Sequence, residues 1–266
     1  MKKIIFTTLF SFWTFSTIHT HTQQIQFEKY DFDNGLHVAL YKHPVLKDSA
    51  VKKNEKEVID AQSVINNYFN VIGGKEKLHA ITSIKEIYDA DFSAVPAPLK
   101  VYNLKVSPNK FSTTITIPSM NNALISKAVF DGTKGYEQST QTKTNFDVKK
   151  IQELKSENAL FPQLNYQNSV LKGVIQFNGH DVYEVVTNKK TEYYNTQTYL
   201  LEREIRVENQ EEKSVVITTD FSNYKEFKGI KIPYSNELTI SGIQGFIKST
   251  LKEVEFNIET SDLDFQ

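Results

Sequence analysis

The chain changes its hydrophobic period several times, and each change marks an element. From Asp60 onward, Ala61, Val64, Ile65, Tyr68, Phe69 and Ile72 recur at three- and four-residue spacing, which predicts one apolar face of a helix. Asp60 can cap its start, and Gly73-Gly74 can end it, because glycine tolerates the positive φ that follows a helix. A short second helix is predicted from Lys75 to Ile81. The period then drops to two. Tyr88, Ala90, Phe92 and Ala94 alternate with Asp89, Asp91 and Ser93; Tyr102, Leu104 and Val106 alternate with Asn103 and Lys105. Phe111, Ile115 and Ile117 share a third such face, with Pro108-Asn109 as the turn before it. Asp131-Gly132-Thr133-Lys134-Gly135 and Asn178-Gly179 mark further hairpins, and strands are expected near 169–177, 181–187, 199–208, 213–221, 230–240 and 245–256. Val148 to Leu160 reads as a helix that interrupts the strands and stops before Pro162.

Strands joined by short turns pair antiparallel, and a sheet of about ten of them must curl or close. The predicted fold class is therefore mainly β (α+β): a long curled antiparallel sheet, a half-open barrel, with about three helices on its concave side. In such a sheet many of the alternating residues Phe92, Leu104, Phe111, Ile115 and Val129 are expected to share the inner face. Leu160 and Phe161 end the interrupting helix, where a lid over that face would sit. These seven form the candidate apolar ligand site.

The N-terminus has another character. Met1-Lys2-Lys3 precedes an apolar run from Ile4 to Ile18, then Thr20 and Thr22. This is the order of a secretory signal peptide, predicted over 1–22, and its run is short of the ~20 residues a bilayer span needs. Residues 23–47 hold a strand pair, Gln26 to Phe32 and Leu36 to Tyr41, around Asn34-Gly35, a strong hairpin signal. Residues 48–58 are charged and read as a linker, and 59–266 reads as one domain. The mature chain carries no further run of membrane length, so no integral span is expected in it.

Composition narrows the chemistry. The 266 residues include no cysteine, so disulfides and thiolate metal sites are excluded. Without Lys2 and Lys3 the chain has 29 basic and 32 acidic residues, a net charge of −3, and no basic stripe suggests nucleic acid. Neither His-Glu-x-x-His nor His-x-x-Glu-His occurs, and there is no Gly-x-Ser-x-Gly elbow and no phosphate-cradling glycine loop. His37 and His43 precede the linker without completing a metal set. No enzyme activity, cofactor or metal is expected.

Several ordered segments carry a resemblance. They are Ala61 to Tyr68 with Ile72-Gly73-Gly74-Lys75-Glu76-Lys77-Leu78, Val129 to Tyr136, Leu160-Phe161-Pro162-Gln163-Leu164, and Tyr224 with Gly229 to Tyr234. Together they resemble the LolA/LolB-like superfamily of outer-membrane lipoprotein-sorting proteins, in the version appended to the C-terminus of some bacterial insulinase-like zinc peptidases. The segment Tyr30 to Val38 is similar to the opening strand pair of those peptidases, whose zinc motif this chain lacks. The resemblance implies a non-catalytic, exported carrier or sensor, periplasmic or loosely attached to the outer membrane. Its concave face would shelter lipid or lipoprotein acyl chains beneath a helical lid. The alternative it implies is an accessory domain left from such a peptidase, acting with another envelope protein and without protease activity.

Overall fold

The computed structural model describes residues 27–31, 37–41 and 59–266, apart from 167, 188–189 and 211–212. The signal-like segment, the linker and the Asn34-Gly35 turn lie outside the described residues. The chain forms two units, 1–56 and 57–266. In the first, β1 (Phe27–Asp31) and β2 (His37–Tyr41) pair antiparallel, with Asp31 opposite His37 and Tyr30 opposite Val38.

The second unit opens with α1 (Ala61–Ile72) and α2 (Lys75–His79). The Asp60 carboxylate accepts the Ser63 N–H at 2.7 Å, so it satisfies one of the donors a helix start leaves free. All six predicted apolar positions of α1 are buried. Gly73 ends the helix with φ +144, and a Cβ there would stand 2.7 Å from Ile230 Cδ1 and 2.9 Å from the Gly229 carbonyl oxygen. Only glycine lets the end of α1 approach that hairpin so closely.

Thirteen strands follow. On one side of the centre lie β3 (Ser83–Phe92), β4 (Leu99–Val106), β5 (Lys110–Ile117), β6 (Ala123–Phe130), β7 (Gly135–Ser139) and β8 (Lys143–Asn145). Then come α3 (Val148–Ser156), a 3-10 turn at Pro162–Asn165, and β9 (Val170–Phe177), β10 (His180–Val186), β11 (Lys190–Asn195), β12 (Leu201–Gln210), β13 (Lys213–Phe227), β14 (Ile230–Ile240) and β15 (Ile247–Phe256). A last 3-10 turn spans Asp262–Phe265. All pair antiparallel in the order β8-β7-β6-β5-β4-β3-β15-β14-β13-β12-β11-β10-β9. The long return from β8 to β9 makes β15 the neighbour of β3, so the first and last strands of the unit meet at the sheet's centre.

The sheet is curled and unclosed. Buried residues from β3, β15, β14, β12, β11 and β10 join α1 in one hydrophobic cluster: Tyr88, Leu251, Ile230, Leu201, Tyr194 and Val185 among them. In a flat sheet β3 and β10 would stand six strand spacings apart, about 29 Å, whereas a helix is about 10 Å across. One helix can cover both only if the sheet bends around it. Register shifts between Ile115 and Thr116, Glu184 and Val185, Tyr193 and Tyr194, and Leu251 and Glu253 supply local bends.

Three expectations change here. The sheet has thirteen strands rather than about ten, because β6, β8 and β11 carry weak alternation. Helix α2 stops at His79 rather than Ile81. Helix α3 stops at Ser156, four residues short of Leu160. Asn158 ends it: its side-chain oxygen accepts the N–H groups of Leu160 and Phe161 at 2.9 and 3.0 Å, a local turn that competes with the helix.

Candidate binding face

Antiparallel partners point to the same face, so the register assigns every predicted site residue. On the α1 face, Tyr88 pairs with Val101 and Val101 with Ile115; Lys105 pairs with Phe111 and Phe111 with Phe130. Phe92 has the same parity as Tyr88. Phe92, Phe111 and Ile115 therefore stand on the concave face. Leu104 pairs with Lys85 and with Ser112, and Ser112 with Val129. Leu104 and Val129 therefore face the convex side, so three of the five share the concave face and two do not. The apolar alternation of β4, Tyr102-Leu104-Val106, points outward. Its inward positions include Lys105, whose ammonium lies 3.1 Å from the carboxylate of Glu86; Glu86 is buried on the concave face and also accepts the Tyr88 hydroxyl at 3.0 Å. A buried carboxylate needs a cation or several donors, so this strand turns its lysine inward.

Leu160 and Phe161 do not lie on the helix. They sit in the segment after it, with Leu160 in the cluster around α1 and Phe161 packed against that cluster. They fill the concavity rather than cover it.

The two arms of the concave face differ. Over β9–β12 the face is closed by α1 and residues 158–166. Val64, Ile65, Val185 and Tyr194 are inaccessible to water, and the rings of Tyr68 and Tyr194 meet edge to face at 5.3 Å. Here the sheet also carries a carboxyl group that the sequence reading did not single out. Glu192, on β11, is wholly buried and accepts three hydrogen bonds: from Gln163 at 3.0 Å, Tyr166 at 2.6 Å and Tyr194 at 2.6 Å. Burial raises the Glu192 pKa above the ordinary carboxylate value, and the bonds from Tyr166 and Tyr194 offset only part of that. Burial likewise pushes the phenols of Tyr68, Tyr166, Tyr194 and Tyr224 upward. The cluster ties the 3-10 turn at Pro162–Asn165 to the sheet. The signal for it was the same-face pair Glu192 and Tyr194, masked because Tyr193 makes both faces of β11 look alike.

Over β3–β6 the face is less covered. A separate, smaller cluster there has Ala90, Leu99 and Ile117 at its centre, with Phe92, Val101, Ile115, Ile125 and Ile247 only partly buried around it. Helix α3 relates the two arms. Asp147 caps it, accepting the Lys150 N–H at 2.7 Å. No residue of α3 is buried, and Val148 is 72% exposed. At its C-terminal end, Asn109 in the β4–β5 turn donates to the Lys155 carbonyl at 3.3 Å, and Ala159 N–H donates to the Pro108 carbonyl at 2.9 Å. Near its start, Lys150 stands 3.9 Å from Glu208 of β12. The turn and β12 belong to opposite arms, so α3 straddles the mouth between them.

A helix laid across a long, unclosed antiparallel sheet recurs among solved structures. A LolA superfamily protein from Nitrosomonas europaea superposes with a TM-score of 0.52 at 10% identity, over 78% of this chain and 98% of that one. The fold is LolA-like. A DUF1329 family protein from Desulfovibrio piger superposes with a TM-score of 0.50 at 10% identity, over 77% of this chain and 96% of that one. No protein-family model and no curated protein matches the sequence. The superpositions cover nearly the whole of both neighbours. Among the described residues no three His, Asp or Glu side chains group as metal ligands, and no helix is long and apolar enough to cross a membrane.

Proposed function

We propose that this protein is a non-catalytic carrier or sensor of lipid or lipoprotein acyl chains, working outside the cytoplasm. One observation carries the reading: α3, with no buried residue, straddles the mouth beside a concave arm on which Val101, Phe111 and Ile115 remain only partly covered. An acyl chain placed there would gain about 0.8 kcal/mol for each CH₂ it buries, and it would need no catalytic group. The signal-like order of residues 1–22 supports export, and the periplasm or the outer-membrane surface is the compartment that suits this cargo. The ligand residues under this reading are Phe92, Phe111 and Ile115 on the open arm, with Leu160 and Phe161 as the wall against the closed one. Leu104 and Val129 stand on the other face and are left out.

A fluorescent fatty acid tests the reading. The wild-type protein should bind it, Ile115→Asp should weaken binding at least about tenfold, and Leu104→Asp should leave it within about twofold, since only the first places a charge in the apolar site. Thermal melting of each variant separates lost binding from lost fold. A wild-type protein that binds no fatty acid defeats the proposal. The hairpin of β1 and β2, with Tyr30 opposite Val38, favours a second reading in which 23–47 descends from the opening of an insulinase-like peptidase and the 59–266 unit serves another envelope protein. Capture of such a partner without lipid binding would support it.

A further inference from the structure

The convex face carries a cavity that the carrier reading does not use. Val129 on β6 pairs with Tyr136 on β7, and Tyr136 with Asn145 on β8, so the three side chains stand in a row on the face away from α1. The C-terminal 3-10 turn is held over the same face. Lys110 places its ammonium 5.4 Å from the centre of the Phe265 ring and 3.5 Å from Asp262, and Lys127 donates to the Gln266 backbone oxygen. The turn and the three strands line a half-open space of about 840 Å³, within the usual range for a small-molecule site. Val129, Tyr136, Phe146 and Phe265 give this space apolar and aromatic walls, and Lys134 and Lys143 stand at it as well.

The charges there are unevenly engaged. Asp131 is committed to its own turn: one carboxylate oxygen accepts the Thr133 N–H at 2.8 Å, the Thr133 hydroxyl at 2.7 Å and the Lys134 N–H at 2.8 Å. Asp262 faces Lys110, and the Lys127 ammonium is taken by Gln266. Among the described residues neither Lys134 nor Lys143 forms a direct salt bridge, although the Lys134 charge helps hold the Asp131 carboxyl below its ordinary value. Lys143 instead lies over the Tyr136 ring, 3.6 Å from its centre. Two exposed ammonium groups beside an aromatic-walled space suit one chemical class.

We propose that this convex cavity is a second binding site, for a monomeric amphipathic organic anion: an apolar or aryl body against Val129, Phe146 and Phe265, and a carboxylate or sulfonate on Lys134 and Lys143. The site is separate from the concave face and stands or falls without it.

Calorimetric titration with decanesulfonate, kept below its micelle concentration, tests the site. The wild-type chain should bind it one to one, and decyltrimethylammonium should bind at least about tenfold more weakly. The double variant Lys134→Glu/Lys143→Glu should lose about tenfold or more in affinity with its melting temperature unchanged, because both side chains are exposed. The variant Lys134→Arg/Lys143→Arg should stay within about threefold of wild type, as both keep the charge. Ile115→Asp, on the other face, should not change this titration. Equal affinity after charge reversal, equal binding of the cation, or sensitivity to Ile115→Asp instead would overturn the proposal. So would sedimentation with phosphatidylglycerol vesicles in the absence of monomer binding, which would assign the lysines to a membrane surface.

Discussion

The two arms of the sheet are built from the same kind of strand, yet one is sealed as core and the other is covered only in part. Over β9–β12, α1 and the 158–166 segment exclude water so fully that a carboxylate, Glu192, is held there by three donors. Over β3–β6, the inner positions Val101, Asn103, Lys105, Phe111, Thr113 and Ile115 keep some exposure, although Tyr88, Ala90, Leu99, Ile117 and Phe130 around them are buried. The difference comes from what lies on top rather than from the strands. A buried helix seals one arm, whereas a helix with no buried residue spans the other. In a curled sheet the covering elements decide which stretch is structural and which is open to a ligand.

The contrast can be broken most directly by truncation. Phe69, 1% exposed in α1, should lose about 3–5 kcal/mol of stability on Phe69→Ala, the range for large core aromatics. Ile115→Ala on the open arm should lose only about 1 kcal/mol. Urea unfolding of the pair measures both, and equal losses would mean that the second arm is core as well. Next in size is Glu192→Gln. An amide cannot accept all three donors, so one buried hydroxyl or amide is left without a partner, at about 1–3 kcal/mol. This loss depends on pH. Because the folded chain holds Glu192 above its ordinary 4.5, folding favours the protonated form. The stability it contributes is fully present below about pH 4.5 and is lost as the pH rises through the folded-state value. The gap between wild type and Glu192→Gln should therefore narrow from pH 4.5 upward, and a gap that widens would place the ionised form in the native state. The smallest effect concerns the helix that seals the closed arm: Asp60→Ala should lose about 1 kcal/mol through the missing N-cap, seen as a modest drop in the urea midpoint with the open arm's ligand binding unchanged.

Much of the fold was legible because its periods are clean. The six buried positions of α1 are those its 3.6-residue spacing names. The strands from β9 onward fall close to their expected places, except that β11 was unseen and β13 runs on to Phe227. The Asn178-Gly179 hairpin has the positive φ values, 49 and 84, that its sequence demands. The site was less legible. Alternation fixes which residues of one strand stand together, but not which side of the sheet they take. That depends on how parity carries through the β4–β5 turn, and there Lys105, drawn inward by Glu86, turns Leu104 outward. Val129 follows Leu104 by register. Leu160 and Phe161 looked like the end of a helix because nothing in their apolar pattern records that Asn158 can capture two backbone N–H groups.

An unclosed sheet also has two free rims, and they are unequally guarded. At one end β8 is three residues long and begins with Lys143, too short to template another chain. At the other, β9 runs for eight residues with Val170, Val174 and Ile175 exposed, and Lys172 is its single charge. Among the described residues, its outer line of backbone donors and acceptors has no neighbour in the strand order. Such an edge recruits strands from other molecules as concentration rises, so crowding would be felt first along β9, three strands from the β12 residue that α3 reaches.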